Sequence, residues 1–225
     1  MKWYAKWHSK LLKDFILKIS KHLTHGFHAL RKSMEGDKEH PLVIGKFKNP
    51  HGFKNINMNN LGIQYANSNK SWMTSLIFKN WVERLNSKMS VENRKILLLL
   101  YNAPVHYFDG EFSNIELYFL PPKTTSKIQP IDQGIVHSFK SLYKKGMTRN
   151  LSMGTNIGTL SYTDELTKFK LVNALPLIIE AWNEVTVDTI KNCFNKALNN
   201  WAKIDEKILE ESTDEKGIKF KSPYN

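Results

Sequence analysis

Apolar residues recur along this chain in two rhythms, and the change from one to the other separates strands from helices. Leu42-Val43-Ile44 is a short apolar run behind a polar turn around Gly36-Asp37. With the residues before it, in HGFHALRKSMEGDKEHPLVIGKF, it has the grammar of a β-hairpin. The Asn-rich passage NINMNNLGIQYANSNK follows as a loop with a short strand at Ile63 to Tyr65, because Asn and Gly favour turns. From Ser71 the period lengthens. Trp72, Leu76 and Phe78 lead into Trp81, Val82 and Leu85, near the i, i+3, i+4 spacing of an amphipathic helix, with Lys79, Glu83 and Arg84 on its other face.

Ile96 to Leu100 is an apolar run too short for a helix and suited to a central strand covered on both faces. Pro104 forbids that ladder from continuing, and a second strand, Ile115 to Leu120, stops at Pro121-Pro122. A helix is expected after Asp132, with Ile135, Phe139 and Leu142 on one side and His137, Lys140 and Lys144 on another. Leu171, Leu175, Ile178, Trp182 and Val185 then mark one helix, which Pro176 kinks or starts. Ile190, Cys193, Phe194, Ala197 and Trp201 mark the next, and the highly charged tail from Ala202 is expected to fray. The implied organisation is a basic amphipathic segment at 1–20, a main domain at 21–149, a linker at 150–163, a helical hairpin of the same domain at 164–201, and a tail at 202–225. Strands, a helix, a buried strand, another strand and then helices make a mixed α/β order around one sheet.

Charge adds a direction to this picture. The 225 residues carry a formal charge of +12, unevenly spread: residues 1–150 hold 24 basic and 10 acidic residues, whereas residues 151–225 hold 9 and 11. A positive field over the first two thirds attracts polyanions, nucleic acid foremost, although a basic face is also compatible with plain solvation. The single cysteine, Cys193, has no internal partner for a disulfide, which suits a reducing compartment, and its helical pattern makes it a core residue. Lysines 6, 10, 13 and 18 interrupt any signal-type apolar run, and nowhere do about 18 apolar residues run together to span a membrane. A soluble, intracellular protein is expected.

Five segments carry a family resemblance, in this order: HPLVIGKFKNPHGFK, NSNKSWMTSLIFKNWVERLN, RKILLLLYNAPVH, IELYFLPPKTTSKIQPIDQGIVHSFKSLYKK and LIIEAWNEVTVDTIKNCFNKA. Together, over residues 21 to 200, they resemble the DDE superfamily endonuclease domain of pogo/Tigger-type transposases, relatives of jerky and centromere-protein-B-like proteins. The resemblance implies an RNase H-like mixed sheet flanked by helices, here lacking its first strand, with a C-terminal helical pair. It also implies Mg²⁺-dependent cutting and joining of DNA, and a nuclear location. Such chemistry uses two ions that clamp the attacking and leaving oxygens of a phosphodiester, so carboxylates from several elements must converge on one point.

The family's three acidic positions are only partly filled. Asp132, in QPIDQG, matches the third and is the candidate metal ligand and catalytic residue. The second falls on Tyr101, 31 positions earlier, where the family pattern reads DNAP. A phenol with a pKa near 10 offers no anionic oxygen at pH 7, and its ring occupies the space of a hydrated ion. The first should precede the hairpin at 21–45, yet Asp14, in LLKDFIL, resembles nothing in the family's first strand. Asp109 and Glu111 are near Tyr101 in sequence but beyond Pro104, where solvation is the plainer role. His106 resembles the histidine of the NAPxH motif and, taken alone, reads as a packing residue. Without the resemblance, Asp132 reads as a cap for the following helix. Trp72, Trp81, Trp182 and Trp201 read as core before they read as stacking platforms.

Lys123, Lys127, Lys140, Lys144, Lys145 and Arg149 cluster around Asp132 and are the candidate phosphate contacts; the alternative is a solvated helix face. The resulting expectation is a transposase-derived DDE domain that binds DNA mostly through phosphates, binds Mg²⁺ weakly and is catalytically impaired. An active Mg²⁺-dependent endonuclease and a protein-interaction scaffold or relic are the alternatives. The DNA-reading helix-turn-helix module of such transposases is not visible in the sequence.

Overall fold

The computed structural model describes residues 38–53, 60–107, 110–122, 124–156 and 169–214. Among the described residues, four strands, β1 (Leu42–Gly45), β2 (Gln64–Asn67), β3 (Ile96–Tyr101) and β4 (Ile115–Leu120), are joined by five helices. The helices are α1 (Ser75–Val91), α2 (Thr125–Ile128), α3 (Ile135–Asn156), α4 (Leu171–Glu184) and α5 (Val187–Asp214). This is a mixed α/β architecture with small parallel sheets.

β1 pairs in parallel with β2, Leu42 opposite Gln64 and Gly45 opposite Asn67. The first arm of the hairpin read from the sequence lies outside the described residues, and the partner seen for β1 is the strand that follows it. β3 pairs in parallel with β4, from Ile96 opposite Ile115 to Tyr101 opposite Leu120. A parallel pair needs a crossover of a dozen or more residues, which the 102–114 segment supplies. Among the described residues the strands thus form two parallel pairs and not one sheet.

Side-chain alternation sorts these strands between two cores. Leu42 and Ile44 of β1 pack with Phe78, Trp81, Val82, Leu85 and Met89 of α1 and with Leu98 and Leu100 of β3. Val43, on the opposite face, joins the helical core of Ile135, Phe139, Tyr143, Ala174, Ile178, Trp182 and Phe194. β3 is covered less evenly than its composition suggests. Leu98 and Leu100 are fully buried, while Leu97, Leu99 and Tyr101 on the other face are half-buried.

α1 begins at Ser75, where the Thr74 hydroxyl accepts the Ile77 N–H. Trp72 therefore precedes the helix and is 60% exposed, which corrects its reading as core. Trp81 and Trp182 are buried, and Trp201 is partly so. α3 continues through Asn156, into the stretch read as linker, while residues 157–168 lie outside the described set. α4 accommodates Pro176 with the ring facing solvent. α5 runs to Asp214 and not into a frayed tail: once its packed first turns are nucleated, each added residue costs little.

The Tyr143 hydroxyl is buried with no hydrogen-bond partner among the described residues. A buried hydroxyl left unsatisfied costs about 1–3 kcal/mol. Tyr143→Phe is therefore expected to be neutral or stabilising in urea denaturation. Phe139→Ala, which opens a cavity beside it, is expected to cost about 3–5 kcal/mol.

Candidate active site and its surroundings

β3 ends at Tyr101, and the chain turns at once through Asn102, Ala103 and a 3-10 turn at Pro104–His106. His106 is fully buried and holds that turn against the strand it leaves. Its Nδ1 donates to the Tyr101 carbonyl at 2.9 Å, which places the imidazole proton on Nδ1. The imidazole meets the Tyr101 ring edge-on at 4.7 Å and the Phe78 ring at 4.6 Å. The Tyr107 hydroxyl donates to Asn102 Oδ1 at 2.7 Å and its ring stacks on Phe119 at 4.7 Å, closing the other side.

Asp132 approaches from a different element. It sits in the 3-10 turn Pro130–Gln133, whose Pro130 and Ile131 are buried. The Asp132 N–H donates to the Gln129 carbonyl at 3.1 Å, and Gln133 Nε2 donates to the Ser126 carbonyl at 2.8 Å. Gly134 follows with φ 148°, a conformation that favours glycine, and a Cβ there would fall 3.1 Å from Cys193 Sγ of α5. α5 thus braces the turn from behind, and Asn200 of the same helix donates to the Lys127 carbonyl at 2.8 Å.

These turns bring Tyr101 and Asp132 within electrostatic reach of each other. Burial raises the Tyr101 pKa, and the negative charge of Asp132 raises it further. Asp132 stays exposed to solvent on one side; the protein packed on its other side raises its pKa by partial desolvation, opposed by Lys140 one turn into α3. The three side chains form one coupled group: a phenol held neutral, a carboxylate made less acidic, and an ammonium that partly restores its charge.

The predicted basic cluster divides. Lys140 lies within electrostatic reach of Asp132, and Lys144 follows it one turn further along α3, exposed. Lys127 lies on α2, which packs on the same 3-10 turn. Arg149 instead pairs with Glu180 of α4, and Lys145 is exposed on that flank of α3. Lys123, Asp109 and Asp14 lie outside the described residues, and Glu111 is exposed ahead of β4. The packing role read for His106 from the sequence is the one seen, while its two ring partners, Tyr101 and Phe78, became visible only in the fold.

Among the described residues no group of three or more His, Cys, Asp or Glu side chains is placed to hold a metal ion. Asp132 is the anionic oxygen donor at the junction, while the Tyr101 phenol is driven away from phenolate by the same carboxylate that a shared ion would require as co-ligand. The described residues do not fit a two-ion centre.

A mixed α/β domain with an acidic residue on the turn before a long helix defines the class of fold, and comparison with known proteins supplies the family. Residues 32–194 match the DDE superfamily endonuclease family, and the chain belongs to it, in the pogo/Tigger-type group. The mouse Tigger transposable element-derived protein 4 is 28% identical over 170 residues, which cover 75% of this chain and 32% of that protein. The mouse Major centromere autoantigen B is 26% identical over 159 residues, 70% of this chain and 24% of the relative. The mouse Jerky protein is 26% identical over 167 residues, 69% and 28% respectively. The chain therefore spans less than a third of each of these relatives. No solved structure matches.

Because the fold raises the Asp132 pKa above its ordinary 3.8, the ionised form opposes folding. The stability tied to its protonated form is complete below 3.8 and is lost as pH rises through the raised value. Because Asp132 is exposed and solvent screens its charge, Asp132→Asn is expected to melt only slightly above the parent chain at pH 7, with the advantage vanishing near pH ~3. An advantage that persists unchanged at low pH would assign it to something other than this carboxylate.

Proposed function

We propose that this chain is a transposase-derived DNA-binding domain with an RNase H-like ancestry that has lost most or all of its family's DNA cutting. The observation that carries the reading is the apposition of Tyr101 and Asp132. Where the family pattern places two carboxylates on these two elements, a neutral phenol faces a lone carboxylate. One protein anion leaves divalent ions mostly water-bound, and the clamp on a scissile phosphate is lost. Asp132 is the remnant metal ligand and Tyr101 the substituted position.

DNA binding outlasts catalysis because the two depend on different charges. Lys127, Lys140 and Lys144 border Asp132 without needing a metal ion, and the chain keeps its +12 balance. Phosphate contacts of this kind are independent of base sequence. Relatives named for a transposable element and for the centromere support a chromosomal, nuclear setting. No helix among the described residues is long and apolar enough to cross a membrane.

Two measurements test the reading. Gel-shift titration on arbitrary duplex DNA is expected to show binding that weakens steeply with salt. Lys140→Ala with Lys144→Ala should lower the slope of log K against log salt by about 2. Supercoiled plasmid with Mg²⁺ or Mn²⁺ is expected to stay uncut, and Tyr101→Asp alone is expected not to restore nicking. Nicking by the parent chain that Asp132→Ala abolishes would establish an active nuclease, and absence of any DNA binding would favour a protein-interaction scaffold.

A further inference from the structure

The register of the first strand pair places two loops at one edge. β1 and β2 run in parallel and end together, Gly45 opposite Asn67, so the chain leaves both strands at the same end of the pair. After Gly45 come Lys46, Phe47, Lys48 and Asn49, all exposed, with Phe47 63% accessible. After Asn67 comes the Ser68–Trp72 turn, with Lys70 and Trp72 exposed. The sequence has no Asp or Glu between Glu39 and Glu83, whereas lysines stand at 46, 48, 54, 70 and 79.

Neither aromatic residue hangs from a loose backbone. The Tyr65 hydroxyl donates to the Phe47 carbonyl at 2.7 Å, and the Tyr65 ring is braced edge-on by Phe53 at 5.2 Å. A Cβ at Gly45 would fall 2.0 Å from that hydroxyl, so the glycine opens the path for this tether. Lys46 Nζ sits 5.7 Å from the Phe47 ring centre, a cation held over an aromatic face. On the neighbouring loop, Ser68 Oγ accepts the Trp72 N–H at 2.8 Å and donates to the Trp72 carbonyl at 2.7 Å. Two large rings are thus presented to solvent from fixed backbones, which lowers the ordering cost on binding.

We propose that this edge of the β1–β2 pair is a second nucleic-acid contact surface, in which Lys46, Lys48 and Lys70 take phosphates while Phe47 and Trp72 stack on unpaired bases. Exposed rings flanked by charges of one sign, with no carboxylate in the segment, match the chemistry of a single strand, whose bases offer π faces beside a line of phosphates. A partner protein surface would have to be strongly acidic as well as apolar. The proposal rests on the DNA-binding reading and extends it to a different surface and to strands with unpaired bases.

Full-length chain titrated into a single-stranded oligonucleotide carrying 2-aminopurine tests it, by anisotropy across a salt series and by fluorescence quenching. Phe47→Ala and Trp72→Ala are each expected to weaken binding on the order of tenfold and to reduce quenching, with the salt slope unchanged. Lys46→Ala, Lys48→Ala and Lys70→Ala together should lower the slope by about 2. All five positions are exposed, so circular dichroism should be unaltered. If the parent chain binds but the ring variants keep its affinity and quenching, or the triple variant keeps its slope, the surface is overturned and the DNA-binding reading stands. If the parent chain binds neither single strand nor duplex, both fall.

Discussion

The two cores of this domain are joined through one short segment, Lys38 to Gly45, whose groups are satisfied on both sides at once. Glu39 is buried, and its carboxylate meets Lys88 of α1 at 2.6 Å. Its backbone carbonyl accepts Trp182 Nε1 of α4 at 2.9 Å. Lys38 Nζ donates to the carbonyls of Trp182 and Asn183, both at 2.9 Å, where the helix presents its negative end. Lys88 is partly exposed while Glu39 is buried, so removing Lys88 would strand the Glu39 carboxylate, and these contacts pin the segment. The pinned segment feeds β1, whose alternating side chains then enter opposite cores. A slip of one residue would exchange Leu42 and Ile44 with Val43, so the register is held by both layers.

From that joint the placement of the candidate site follows. α1 seals one face of β3 and fixes where the strand ends; His106 ties the following turn back to the Tyr101 carbonyl. On the other side, α3 and α5 pack around the Pro130–Gln133 turn and present Asp132. The two turns bring a half-buried phenol and an exposed carboxylate within electrostatic reach of each other. The phenol's proton is held more tightly because the phenol is partly desolvated and the carboxylate is near. That geometry favours the uncharged form of Tyr101.

Binding of a polyanion asks for less than catalysis does. It needs cations that remain exposed, without sub-ångström convergence. Lys140 and Lys144 beside Asp132, and the lysines around Phe47 and Trp72, meet that weaker requirement. Arg149, by contrast, has been drawn into an ion pair with Glu180 and serves helix packing.

Local rhythm in the sequence determined much of this protein. Ile96–Leu100 and Ile115–Leu120 announced strands, the faces of α3, α4 and α5 were legible from their apolar spacing, and Tyr101 stood out against the pattern around Asn102-Ala103-Pro104. Periodicity reports which side of an element is apolar, and that is decided within a few residues. It does not report what lies opposite. The pairing of β1 with β2, the exposure of Trp72 one turn before a helix begins, the loss of Arg149 to Glu180, and the encounter of Tyr101 with Asp132 each depend on segments distant in the chain. Only tertiary structure decided these, because burial, pairing and pKa are set by what packs against a residue, not by its neighbours in sequence.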